Sequence, residues 1–429
     1  MTFTVIQPAD VETAIDCLRR APLLVDSPTQ RYQRDLGGLS RAFAGAEFRR
    51  PDLVWAAVGD EGEPRAVVAG LLTGPQTVLD FFGADDEAES SEAGDAGDDD
   101  LVRLVSHSSA DGFDDDPVRL DVPMPFACPT CSLREVLVAV AEDRAAQDPG
   151  GTTVILLPAA IELAHLLPRL AEDLAATGVR LAGAAHVLDA TTAVDELLEH
   201  RLLAAFPGDC RCTGAVHLAN LGYADVVLAL GRDEDPAGAD LIEHLRPHDA
   251  LLLPGLDAPL LETLTALTHD ASSSLSRIHP ATTSAWGGPD DHGVWTLDLS
   301  ATLPFHPGRL RALVVELAGQ GLCARGCFWL PSRPGRVCTW EVAGGAVSVG
   351  DAGTWGEVPS AASGVGEDAA GEPRCHLVVT GIGDTDMREQ VRRAFARILL
   401  RPEEMSQALA WIGADDGLGD WFGQEVQED

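Results

Sequence analysis

Two cysteines, Cys128 and Cys131, stand in the turn Phe126-Ala127-Cys128-Pro129-Thr130-Cys131-Ser132-Leu133-Arg134, ahead of a stretch at 132–147 whose apolar spacing predicts a helix. Two thiols at this spacing can chelate one soft or borderline ion such as Zn(II), and a helix N-terminus favours their thiolate forms. A tetrahedral site needs two more ligands, for which Cys210, Cys212, His217, nearby acids or a client protein are the candidates. Structural thiols and a redox pair are the competing readings, although the pair does not follow a first βαβ strand as a thioredoxin-like motif does. Cys323, Cys327 and Cys338 lie in apolar, strand-like text and read as core packing. His306 and His376 flank apolar segments and read as satisfied structural residues.

The cations are as informative. The chain has 429 residues with 30 Lys+Arg, every one of them arginine, against 68 Asp+Glu, for a net charge of -38. The absence of lysine removes Schiff-base chemistry and a Walker A lysine over a phosphate. After the expected first strand, LVWAAV, the place of a phosphate cradle is taken by Gly59-Asp60-Glu61-Gly62-Glu63-Pro64-Arg65. The three acids repel phosphate and Pro64 lacks an N–H, which leaves Gly59, Gly62 and Arg65 as the candidate phosphate contacts. So acidic a chain repels a nucleic-acid backbone and an anionic membrane, and no apolar run reaches the roughly 18 to 20 residues of a membrane helix. The start lacks the pattern of a signal peptide, and nine cysteines in a long chain do not suggest a disulfide framework. Together these predict a cytoplasmic protein.

The elements that would position these residues fall into two blocks. Strand-like runs alternate with helical stretches from residue 53 to 255, the pattern of a parallel sheet covered by helices on both faces. Inside this α/β block, residues 84–121 carry 14 acids against two arginines, and 84–116 reads as a solvated, disordered insert with a short ordered piece at 101–105. Residues 256–293 read as a linker, 294–405 as a small α+β domain, 1–52 as an extension of no assigned role and 406–429 as an acidic tail.

The order of these segments resembles the CobW family of P-loop metal chaperone GTPases over roughly residues 53–405. The most specific part is Pro304-Phe305-His306-Pro307-Gly308-Arg309-Leu310 followed by Arg325-Gly326-Cys327-Phe328-Trp329-Leu330, which looks like the family's C-terminal domain signature. Cys128 and Cys131 match the outer cysteines of the family's C-x-C-C metal motif, with Thr130 in place of the inner one. Val154 to Ala160 occupies the Glu-Thr-x-Gly switch strand, with Leu157 at the acid and Ala160 at the glycine. The base-reading Asn-Lys-x-Asp has become Leu230-Gly231-Arg232-Asp233, so that Asp233 alone remains to meet a guanine edge. The pattern is closest to a divergent actinobacterial branch with a CxxC motif. One mycobacterial member of that branch is linked to zinc limitation and to recruitment of a ribosome hibernation factor.

The resemblance implies a P-loop NTPase-like domain with degenerate nucleotide motifs, followed by a CobW C-terminal domain. It implies a zinc-homeostasis protein that binds or passes Zn(II) through Cys128 and Cys131 to a protein client, with weak or absent GTP/Mg binding and without efficient turnover. One alternative is a non-enzymatic adaptor that recruits a ribosome-associated factor under zinc starvation. A working GTPase is the other.

Overall fold

The computed structural model describes strands at 2–7, 51–55, 66–70, 77–82, 101–108, 118–123 and 152–156, four helical pairs between 134 and 146, and residues 161–422 except 203–210, 256–257, 259, 286, 289–290, 320, 360–370 and 384. In chain order the first strands are β1 (Thr2–Gln7), β2 (Pro51–Trp55), β3 (Ala66–Gly70), β4 (Thr77–Phe82), β5 (Leu101–Ser108), β6 (Val118–Pro123) and β7 (Thr152–Leu156). They are followed by α1 (Leu163–Ala176), β8 (Arg180–Asp189), α2 (Ala190–Leu198), α3 (Thr213–Tyr223), β9 (Val226–Leu230), α4 (Pro236–Leu245), β10 (Leu251–Leu253), α5 (Leu260–Ala266) and α6 (Ala271–Ile278).

Six of these strands form one parallel sheet in the order β10-β9-β8-β1-β7-β2, while β3 to β6 form a separate antiparallel meander. The helices beside the parallel sheet follow from their apolar spacing. Leu163, Leu166, Leu167, Leu170 and Leu174 put one stripe of α1 into a core shared with Leu137, Ala141, Val179 and Leu181. The start of α1 is tied to α3 by buried Asn220, whose Oδ1 accepts from Leu163 N at 2.9 Å. Asp189, Asp235 and Asp270 cap α2, α4 and α6 with their carboxylates.

The second block contains β11 (Val294–Ala301), α7 (Pro307–Leu317), β12 (Leu322–Phe328), β13 (Arg336–Ala343), β14 (Ala346–Thr354), β15 (Cys375–Ile382), α8 (Thr385–Ile398) and α9 (Met405–Ala408). Its five strands form an antiparallel sheet in the order β11-β15-β12-β13-β14. The β13–β14 hairpin turns on Gly344 and Gly345, both at positive φ (54° and 74°), as a two-residue turn of this hand requires. One face of the sheet packs beneath α7 and α8 around Phe305, Phe328 and Trp340, with Phe305 stacked on Phe328 at 5.1 Å. The other face delivers Val294, Cys323 and Ile382 into a core with Leu197, Leu221, Leu241 and Ile242, so the two blocks share apolar packing.

Several boundaries differ from the sequence expectation. Residues 1–52 are not simply an extension, because Thr2–Gln7 is an interior strand of the parallel sheet and β2 begins at Pro51. The segment RAVVAGLL, within the block read as alternating strands and helices, contains β3, where β-branched Val67 and Val68 pair with β4 in an antiparallel ladder. The acidic insert holds β5, longer than the ordered piece expected at 101–105 and paired on both sides. The expected linker contains α5 and α6. Arg180 bridges to the Thr265 carbonyl at 3.1 Å and His269 to Asp225 at 2.7 Å, which fastens this segment to the α/β block. The acidic tail folds back onto the C-terminal core: Leu418 is fully buried, Asp416 pairs with Arg333 at 2.9 Å, and Arg333 lies over the Phe422 ring. No helix among the described residues is long and apolar enough to cross a membrane.

Candidate functional site

Ligands of parallel α/β sheets gather beyond the carboxyl ends of the strands. Here those ends are Gln7, Trp55, Leu156, Asp189, Leu230 and Leu253. Gly59, Gly62 and Arg65 follow β2 and lie outside the described residues, as do Leu157 and Ala160 after β7. Asp233 is described. It sits exposed in the turn between β9 and α4, with no hydrogen bond or ion pair among the described residues. The backbone of that turn is fixed by Glu234 N and Asp235 N, both donating to Gly231 O at 3.0 Å. Gly231 has φ +63°, and a Cβ there would stand 2.7 Å from Asp189 Oδ1. That oxygen already accepts from Thr191 N at 2.8 Å and Thr191 Oγ1 at 2.7 Å. Gly231 is therefore a position where any side chain meets the carboxylate that starts α2.

Cys128 and Cys131 also lie outside the described residues. The stretch that follows them is helical at 134–135, 137–138, 141–142 and 145–146, as its spacing predicts. Leu137 and Ala141, one turn apart, are fully buried against α1, and Arg134 pairs with Asp173 of α1 at 3.5 Å. The helix behind the thiol pair is thus anchored on the α/β core.

The other ligand candidates are placed less openly. Cys210 is outside the described residues. Cys212 begins α3 as a buried residue, with its sulfur 3.6 Å from the Ala343 carbonyl across the junction of the two blocks. His217, a turn further along α3, is buried with Nδ1 3.2 Å from His186 Nε2, and its Nε2 faces Glu196 at 3.9 Å. Burial pushes its pKa down from 6.5 to about 4. Among the described residues, no three His, Cys, Asp or Glu side chains group to hold a metal ion.

The residues that carry the C-terminal resemblance build the domain. Phe305 and Phe328 are core, His306 caps α7, and Arg309 holds Leu399 O at 2.7 Å and pairs with Glu404. Cys323, Cys327 and Cys338 are buried as expected, and burial pushes their thiols up to about 12, 11 and 12. His376 is satisfied by Asp298 at 2.8 Å, as expected of a structural residue. Sequence reasoning missed a cavity at the junction, flanked by Arg277 and Arg325. The sequence shows Arg325 only as part of the C-terminal signature and does not mark Arg277, because the cavity forms only where the blocks dock.

No family model matches the chain. Over 240 residues it is 28% identical to the zinc chaperone Rv0106 of Mycobacterium tuberculosis, a match covering 51% of this chain and 58% of that protein. A Mycobacterium bovis protein matches with the same identity and coverage, so the chain spans little more than half the length of the curated relatives it matches. Among solved structures, the Zn(II)-bound YjiA GTPase of E. coli superposes with a TM-score of 0.32 at 12% identity, covering 93% of this chain and 99% of that one.

Proposed function

We propose that this chain is a CobW-like protein of zinc homeostasis that binds or passes Zn(II) through Cys128 and Cys131 to a protein client, with weak or absent GTP binding. The carrying observation is the Cys-x-x-Cys pair, which in sequence precedes a helical stretch whose Leu137 and Ala141 are buried in the core. The similarity to a protein named as a zinc chaperone supports the same reading. Two thiolates fill half of a tetrahedral zinc shell, and the open half is what a client needs in order to take the ion by ligand exchange.

Sequence read against the sheet order supports the nucleotide half of the proposal. A phosphate loop belongs after an interior strand, and β1 is interior where β2 is an edge. The residues after β1 are Pro8-Ala9-Asp10-Val11-Glu12-Thr13, with two acids, no glycine and no lysine. Neither this segment nor the one after β2 has the composition of a phosphate cradle.

Metal content and guanine-nucleotide binding measured on one reduced, purified sample test the proposal. About one Zn(II) per chain is expected, lost when both Cys128→Ser and Cys131→Ser are introduced, with no saturable binding of a fluorescent GTP analogue with magnesium. Unchanged zinc stoichiometry in the double variant removes the thiol pair from the reading. Tight nucleotide binding restores the GTPase reading. An adaptor role is favoured by the net charge of -38, which steers toward a basic protein client. Pull-down from zinc-starved cells that returns no ribosome or translation factor counts against it.

A further inference from the structure

A cavity of about 480 Å³ lies between the two blocks, walled by α3, the end of α4, α6 and strands β12, β13 and β15. It sits at the end of the parallel sheet where strands begin: lining residues Gly222 and Asp249 precede β9 and β10. Asp189 and Asp233 are at the opposite, carboxyl end, so the cavity is separate from the nucleotide elements and independent of the zinc reading.

Three guanidiniums line this wall: Arg246, held by Glu243 at 2.6 Å and the Ala250 carbonyl at 2.8 Å, and Arg277 and Arg325. Arg325 reaches from β12 across the junction until its Nη1 lies 3.2 Å from where a Cβ of Gly222 would stand, a close approach that the glycine on α3 accommodates. Its Nε donates to Glu341 Oε1 at 3.0 Å, and its two outer nitrogens have no hydrogen bond among the described residues. Arg277, from α6, grips the same end of α3 through the Tyr223 and Ala224 carbonyls at 2.7 and 3.1 Å. It also pairs with Asp249 at 3.3 Å, while its Nε is buried without a partner. The acids on the wall are already engaged: Glu341 by Arg325, Asp249 by Arg277, and Asp270 by the backbone N–H groups of Ser272 and Ser273. What the wall still offers is donors, from the outer nitrogens of Arg325 and from hydroxyls such as Ser273, Ser276 and Ser284, above an apolar floor that includes Leu218 and Val378.

A space of this size suits a small molecule. A guanidinium with its fork unoccupied selects an oxyanion, which it can hold with two parallel charge-assisted hydrogen bonds. We propose that the cavity binds a small hydroxylated molecule carrying a carboxylate or phosphate, with Arg325 as its anchor and the serines of α6 against its hydroxyls. The strongly negative chain repels anions in general, so stoichiometric uptake of one is a signature of a built site.

The test is calorimetric titration of the full chain at low ionic strength with inorganic phosphate, ribose 5-phosphate and citrate. At least one probe should bind once per chain. Ribose 5-phosphate with citrate silent assigns a phosphate ligand, and the reverse assigns a carboxylate. Arg325→Gln should weaken binding at least about tenfold, the scale of one charge-assisted pair. The exposed Arg397→Gln on α8 should leave it unchanged. Ser276→Phe, which fills the space from a half-buried position, should abolish it and serves as the second variant if Arg325→Gln does not fold by circular dichroism. Absence of binding by all three probes at 10 mM, or binding that survives Ser276→Phe in a folded variant, overturns the proposal.

Discussion

Mild acid should destabilise this protein through one buried ring, and His217→Gln should remove that contribution. His217 is 3% exposed on α3, faced by His186 from β8 and by Glu196 from α2. Burial lowers its pKa from 6.5 to about 4, so the folded protein binds this proton more weakly than the unfolded chain does. Its contribution to stability is therefore fully present above about pH 6.5 and is lost as the pH falls toward 4. The lowered pKa sets a ceiling of about 3 kcal/mol, of which about 2 kcal/mol disappears between pH 7 and pH 5. That window stays above the sequence isoelectric point of about 4.4, where the chain would precipitate. Urea unfolding at pH 7 and pH 5, followed by circular dichroism, reads the effect as a difference of differences. Carboxylates and histidines remote from the ring contribute equally to wild type and variant and cancel. Wild type should lose about 2 kcal/mol more than His217→Gln across the window. Equal losses in the two proteins refute the reasoning, because they mean that the ring already exchanges its proton with water in the folded state.

Three further outcomes follow from the packing. Leu418→Ala should cost about 2 to 5 kcal/mol in chemical denaturation, since the side chain is fully buried in the C-terminal core; a cost below 0.5 kcal/mol would mean that the segment does not pack. Gly231→Lys should lower the melting temperature, because the left-handed backbone costs an L-residue about 1 to 2 kcal/mol and the new Cβ crowds Asp189; an unchanged melting temperature contradicts that geometry. Alkylation with iodoacetamide at pH 8 followed by mass spectrometry should leave Cys212, Cys323, Cys327, Cys338 and Cys375 unmodified in the native protein and modify them in urea. Native labelling of Cys338 at the urea rate contradicts its burial.

The fold was most legible where one periodicity ran unopposed. The leucine stripe of α1, the strand at Arg180–Asp189 and the helix ending at Ile398 all announce themselves, because each buries one continuous face or run. The reading failed where pairing partners are remote. Thr2–Gln7 has the β-branched composition of a strand, yet its neighbours β7 and β8 lie some 150 residues away, so sequence alone gave it no place in a sheet. The acids that make 84–116 look solvated flank β5 without entering it, since Leu101–Ser108 holds no Asp or Glu. The tail was misread for a similar reason: its acids include Asp416, whose charge is answered by Arg333, a residue 83 positions earlier.

The chemistry divides along the same line. A thiol pair at CxxC spacing is a local feature, and its meaning is carried by the spacing and by the helix that follows it. The all-arginine composition is different, because an arginine acquires a role only from what the fold places beside it. Arg309, Arg333 and Arg325 have the same formal charge, yet the first two are consumed by Glu404 and Asp416, whereas Arg325 gives one nitrogen to Glu341 and turns the others toward a cavity. In a chain with more than twice as many acids as cations, a guanidinium not fully claimed by carboxylates is held so by geometry. Gly222 is the residue that allows it. An alanine there would stand 3.2 Å from Arg325 Nη1 and 2.9 Å from the Ile278 methyl, so the methyl would have to shift and the anchor to give by a few tenths of an ångström.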